Sequence, residues 1–158
     1  MVALQVLLLL AVYLSIRAYQ TRDYVRDKAP VIDSKLIDGS RFLLTDSTAE
    51  PTLVHFWATW CPICEFENAN IAAVSKDYRV VTIAAWSGNS AEVVNYMKQQ
   101  DLTMPVIIDE DGEWAKLYNI KAVPVSFFIN KDGMIEFIEK GYTTETGFRL
   151  RLWWLARQ

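Results

Sequence analysis

The feature that most narrows what this chain can fold into is Trp60-Cys61-Pro62-Ile63-Cys64, set between an apolar run, Thr52 to Ala58, and an amphipathic stretch, Glu65 to Tyr78. It holds the only two cysteines of the 158 residues. The periodicity after it predicts a helix, with Cys61 at its first turn and Cys64 three positions on, on the same side. That separation suits a disulfide. A helix start offers unpaired N–H groups and a positive dipole end, and both favour a thiolate over a thiol, which marks Cys61 as the nucleophile. Pro62 fits a first helical position, where no N–H is needed. Two other readings stay open. Half of a zinc site is one, although the chain supplies no further Cys and a single His. A structural disulfide is the other, although so short a loop removes little entropy from the unfolded chain.

An apolar run covered on both faces belongs in an α/β sheet. Thr52 to Ala58 reads so, and Arg79 to Ala85 and Val106 to Asp109 supply further strands. Pro30 to Ile37 and Arg41 to Leu44 read as a hairpin about Asp38-Gly39, and Val125 to Ile129 and Met134 to Lys140 as a second. Helices are expected over Glu65 to Tyr78, from an Asn89 or Ser90 cap to Gln100 with Val93, Val94 and Met97 inward, over Glu113 to Tyr118, and from Thr144 to Ala156 with Phe148, Leu152 and Leu155 inward. Asp109-Glu110-Asp111-Gly112 reads as a turn, since the later ligands of a calcium loop are missing. Of Trp153 and Trp154, one is expected in the core and one half exposed.

Met1 to Ile16 carries no charged side chain, and with Arg17 snorkelling the apolar stretch reaches about twenty residues, short but sufficient for a span. No small-residue cleavage site follows, so a retained anchor over residues 1–20 is expected ahead of a cleaved signal, then a polar tether over 21–29 and one folded domain over 30–158. Arg17, Arg22, Arg26 and Lys28 follow the span and no base precedes it, which by the positive-inside rule argues for a cytoplasmic domain. The chain has 16 Lys and Arg against 19 Asp and Glu, and no basic cluster after the tether, so nucleic acid is not an expected partner.

With strand, Trp-Cys-x-x-Cys and helix in place, the chain resembles thioredoxin-fold proteins. More narrowly, Phe56-Trp57-Ala58-Thr59-Trp60-Cys61-Pro62-Ile63-Cys64 followed by Glu67 resembles the TlpA/ResA/DsbE group of membrane-tethered bacterial thiol-disulfide oxidoreductases, the suppressor-for-copper-sensitivity protein D type in particular. The resemblance implies a central mixed sheet flanked by helices, with an extra N-terminal hairpin and a strand-helix insertion in the region of Trp86 to Pro105. It also implies a cis-proline at Pro124, beside the cysteines, where Val123 offers backbone groups to an incoming peptide. Trp60, Pro62, Ile63 and Val123 are then the expected substrate contacts. Glu65 and Ala69 depart from the group's usual residues, a base and a proline.

Two groups are placed to tune the sulfurs. Glu67 shares a helical stripe with Ile71 and Val74, so a half-buried carboxyl with a raised pKa is expected, able to exchange a proton with Cys64; an ordinary surface acid is the other reading. His55, the only histidine, stands where thioredoxins place a buried acid, and either activates Cys64 or is a hydrogen-bonded core residue. The resemblance implies an enzyme that reduces disulfide-bonded proteins, without cofactor or metal. It would be recharged by a DsbD-like membrane donor, with its domain in the periplasm and a role in copper stress. Reduction of apocytochrome c in cytochrome c maturation and non-catalytic copper(I) binding by the two thiolates are the alternatives.

Overall fold

The computed structural model describes residues 2–45 and 47–158; within its first helix the side chains of residues 2, 3, 14, 17, 18, 20 and 21 are not described. Met1 and the Arg17 side chain, both part of the expected anchor, lie outside what is described. The chain begins with helix α1 (Val2–Thr21). A hairpin follows, β1 (Ile32–Lys35) with β2 (Arg41–Leu44), closed by Asp38, whose Oδ1 accepts from the Ser40 N–H at 2.9 Å.

The five-stranded sheet runs β5 (Val106–Asp109), β4 (Arg79–Ala85), β3 (Thr52–Trp57), β6 (Val125–Ile129), β7 (Ile135–Lys140). Strands β3, β4 and β5 are parallel, while β6 runs antiparallel to β3 and β7 antiparallel to β6. Because side chains alternate along a strand, β3 sends Val54 and Phe56 into one core and Leu53 and Trp57 into the other. The first core is closed by the hairpin and by the short helix α4 (Glu113–Leu117). The second is closed by α2 (Pro62–Val74), α3 (Ser90–Gln99) and α5 (Glu145–Leu155). This is the α/β architecture expected, a mixed sheet between helices. Helix α3 falls within the Trp86 to Pro105 region, and β5 opens directly after it.

Local chemistry explains the helix ends. Asn89 starts α3 with a capping box, its Oδ1 accepting from Ala91 and Glu92 while Glu92 Oε2 accepts from the Asn89 N–H. The turn at Asp109 has a structural use, since its carboxylate accepts the Trp114 and Ala115 N–H groups at 3.0 and 2.9 Å and so caps α4. Helix α2 begins earlier than its amphipathic stretch suggests and stops at Val74, where Ser75-Lys76-Asp77 turns the chain. Phe148, Leu152 and Leu155 are buried as expected, whereas Trp153 and Trp154 are 45% and 47% exposed. Neither tryptophan enters the core, because the inward stripe of α5 is already filled; Trp154 lies instead edge-on to Phe137 of β7.

The stretch expected as a tether is tied down over its second half. Tyr24 and Ala29 are buried, and Asn119 Nδ2 donates to the Asp23 carbonyl. Ala29 N–H donates to the Gly133 carbonyl at 2.8 Å, and Ile135 N–H to the Asp27 carbonyl at 2.9 Å. These bonds pair the start of β7, the outermost strand on that side of the sheet, and a paired edge is closed to another chain. Counting only the described residues, no helix is long and apolar enough to cross a membrane.

Candidate active site

Cys61 and Cys64 meet at the C-terminal end of β3. Cys61 is the N-cap of α2 rather than part of its first turn, in extended backbone (φ −96°, ψ 110°), and Pro62 is the first helical residue. The cap uses sulfur where Ser or Asp would use oxygen: the Cys64 N–H donates to Cys61 Sγ at 3.2 Å. The cysteines are joined as a disulfide with Cα atoms 5.3 Å apart. Cys61 keeps 6% of its surface exposed and Cys64 none, so only the first sulfur meets a visitor.

The loop before the pair is pinned to the loop after β4. Thr59 N–H donates to Ser87 Oγ at 3.0 Å, and Trp60 Nε1 donates to the Trp86 carbonyl at 2.9 Å. Trp86 takes a left-handed backbone (φ 52°), and its ring packs over Gly112, where any Cβ would stand 2.2 Å from the indole nitrogen. Anchored by its nitrogen, Trp60 still leaves 61% of its surface in solvent.

On the other side stands Val123-Pro124, joined by a cis peptide bond, with the Val123 carbonyl oxygen 3.8 Å from Cys61 Sγ. Of the four expected substrate contacts, Trp60, Pro62 and Ile63 are exposed and Val123 is half buried; all four lie within the cysteine motif or beside the cis-proline. Phe66, one helical turn beyond Ile63, is 75% exposed and was not singled out by the sequence, although its place outside the buried stripe of α2 could have been read there.

His55 of β3 and Glu67 of α2 come together, both with no exposed surface. Glu67 is more deeply buried than expected. Its stripe on α2 faces the sheet under α5, and Oε1 accepts the Thr143 N–H at 2.7 Å. Burial pushes its carboxyl up to about 8, aided by the Glu139 charge and opposed by the Thr143 bond. Arg151 Nη2 holds Glu139 at 2.5 Å. His55 is pushed down to about 3 by burial alone, so the ring is neutral near pH 7. Its Nδ1 is 2.8 Å from Ser126 Oγ, and the Phe148 ring lies edge-on at 6.4 Å. Its Nε2 faces Glu67 Oε2 at 3.8 Å, and neither atom has a hydrogen-bond partner. Ser126 was also missed by the sequence reading. The signal was a lone polar residue in the apolar run Val125 to Ile129, opposite His55 in register.

Such an arrangement can exchange electrons through one accessible sulfur and protons through one buried carboxyl. Among the described residues no group of three or more His, Cys, Asp or Glu is gathered to hold a metal ion.

Comparison with known proteins leads to the same chemistry. Residues 25–138 match the family model described as AhpC/TSA family. A thioredoxin-like protein of Haemophilus influenzae is 30% identical, the match covering 94% of this chain and 90% of that one. The thiol-disulfide oxidoreductase ResA of Oceanobacillus iheyensis is 35% identical over 76% of this chain and 67% of its own length. The crystal structure of StoA from Bacillus subtilis superposes with a TM-score of 0.68 at 30% identity, covering 78% of this chain and 96% of that one.

Proposed function

The chain belongs to the AhpC/TSA family and is a thioredoxin-fold thiol-disulfide oxidoreductase of the ResA/StoA type, and on that premise we propose that it reduces protein disulfides outside the cytoplasm while anchored by α1. The observation that carries the reading is the division of labour at the pair: Cys61 keeps some exposed surface beside the Val123 carbonyl, while Cys64 is fully buried, three residues before the buried Glu67 on the same helix. In the reduced enzyme the Cys61 thiolate attacks one sulfur of a substrate disulfide. That S–S bond breaks, the departing sulfur leaves as a thiolate and takes a proton from solvent, and Cys61 is left in a mixed disulfide. Cys64 then gives its one proton to the Glu67 carboxyl in its ionised form, with His55 staying neutral beside it; the Cys64 thiolate attacks Cys61 Sγ, the mixed disulfide breaks, and the second substrate sulfur leaves as a thiolate that takes a proton from solvent. Two electrons have passed to the substrate, and the enzyme is left with the Cys61–Cys64 disulfide. Trp60, Pro62, Ile63 and Val123 frame the approaching peptide, with Pro124 holding Val123 in place.

Oxidised enzyme needs two electrons and two protons from a dithiol donor, and we assign that part to a DsbD-like membrane protein, with copper stress as the setting. For the anchor, the support is in the sequence, where Met1 to Ile16 carries no charged side chain, a stretch that α1 takes in from Val2. Leu4, Val6 and the run Leu7 to Leu10 stand exposed along it, an apolar surface that calls for apolar surroundings. A phosphatase fusion after Pro30 tests the topology, and an inactive fusion refutes an extracytoplasmic domain. Thiol alkylation in growing cells tests the direction of electron flow: the pair is expected mostly reduced, turning oxidised when the donor is deleted. A pair found mostly oxidised in the presence of the donor refutes the reductase.

A further inference from the structure

Two buried polar atoms, His55 Nε2 and Glu67 Oε2, face each other at 3.8 Å and are both without a hydrogen-bond partner, while the far side of the imidazole meets Ser126 Oγ at 2.8 Å. A shift of about half an ångström brings the facing atoms to hydrogen-bond length. The bond between them needs one proton, and each of two arrangements supplies it. In the first, Glu67 is a neutral acid, Oε2–H donates to Nε2, and the ring proton sits on Nδ1 and is donated to Ser126 Oγ. In the second, Glu67 is a carboxylate, the ring proton sits on Nε2 and is donated to Oε2, and Nδ1 accepts the Ser126 hydroxyl proton. The two differ by one proton in total, and both leave the ring neutral.

Only a hydroxyl serves both, since it accepts from Nδ1–H in one and donates to bare Nδ1 in the other. We propose that Ser126 is a positioning residue for this pair, and that the His55 ring changes tautomer as Glu67 gains or loses its proton. The proposal rests on the reading that Glu67 and His55 move protons for Cys64, and adds to it the residue that lets the histidine follow the carboxyl without becoming charged.

The groups that face the pair do not displace this assignment. On α2 the other titratable side chains are Cys64, held in the disulfide, and Glu65, which is exposed. Strand β6 contributes the Ser126 hydroxyl, which does not ionise, and α5 the uncharged Phe148 ring. The Glu139 charge of β7 acts on Glu67 and is paired with Arg151, and the loop before α5 contributes the Thr143 N–H on the other carboxylate oxygen. None offers Nε2 a second partner.

The chain has one histidine, so nitrogen NMR of the oxidised full chain labelled in histidine reports this ring alone. From about pH 6 to about pH 10 the bare nitrogen is expected to change from Nε2 to Nδ1. Ser126→Ala should hold one tautomer throughout, and Ser126→Thr, which keeps the hydroxyl, should switch. One tautomer at both ends of the range in the wild-type protein overturns the proposal without recourse to any variant, and so does a Ser126→Ala protein that switches as the wild type does. In the reduction assay, the alkaline limb of the pH profile should move in Ser126→Ala and stay in place in Ser126→Thr. A profile unmoved in Ser126→Ala, with the wild-type switch seen by NMR, leaves the tautomer coupling standing and refutes the parent reading that the pair serves Cys64.

Discussion

Replacing Glu67 by Gln should make a pH dependence of stability appear where the wild-type protein has little. A carboxyl that titrates at about 8 in the folded chain and at its ordinary 4.5 when unfolded makes the native state bind the extra proton between those values. Stability therefore falls as pH rises through that window, by roughly 2 to 3 kcal/mol between pH 5 and pH 7. His55 acts in the opposite sense. It titrates at about 3 folded against 6.5 unfolded, so the unfolded state binds the extra proton and stability rises with pH. That rise is about 2 kcal/mol over the same two pH units. The two largely cancel in the wild-type protein. Glu67→Gln removes the falling part and keeps the carboxyl's shape, so the variant should gain about 2 kcal/mol from pH 5 to pH 7. His55→Asn should do the reverse and lose roughly 2 to 3 kcal/mol. Urea unfolding of the oxidised chain at the two pH values reads these differences as midpoint shifts of about 1 M. Every other ionisable group contributes alike to the three proteins, so the comparison isolates the pair. A Glu67→Gln protein as flat as the wild type would refute the reasoning, because it would mean that the buried carboxyl is already ionised at pH 5.

Cys64→Ser should accumulate mixed disulfides through Cys61 on non-reducing gels, and Cys61→Ser should trap nothing; a Cys64→Ser protein that traps no partner would remove the assignment of Cys61 as nucleophile. Phe148→Ala empties the space between His55 and the Phe128 ring, stacked at 5.9 Å, and should cost about 3 to 5 kcal/mol in chemical denaturation. A cost under about 1 kcal/mol would show that the site collapses around the smaller side chain. Asn89→Ala breaks the capping box of α3 and should cost about 1 kcal/mol, read as a lowered Tm.

What the sequence shows best is what the chain dictates over short distances. The apolar runs of β3 and β4 and the inward stripe of α5 at Phe148, Leu152 and Leu155 follow from local periodicity, and each is where that period puts it. The dithiol is legible for the same reason, since both cysteines and Pro62 lie within four successive residues. The proton-handling half of the site is not local. Glu67 is buried because the loop at Thr143 closes over it, 76 residues away, and Ser126 meets His55 because β6 pairs with β3 in one particular register. Periodicity along α2 could place Glu67 on a stripe but not say how deep the stripe lies. Trp153 and Trp154 show the opposite error: composition favours burying one, yet three other side chains of α5 already occupy the inward face.

The bonds that Asp27 and Ala29 make to β7 bear on how the enzyme can be handled. A soluble fragment cut at Pro30, where composition first suggests a folded domain, would lose those bonds together with the ring of Tyr24, which lies edge-on to Phe127 at 6.0 Å. It would also bare a stretch of sheet edge that recruits neighbouring chains. Fragments meant for crystallisation or solution assay should therefore start before Tyr24, and inclusion bodies from a shorter one would reflect where it was cut and carry no information about the stability of the enzyme.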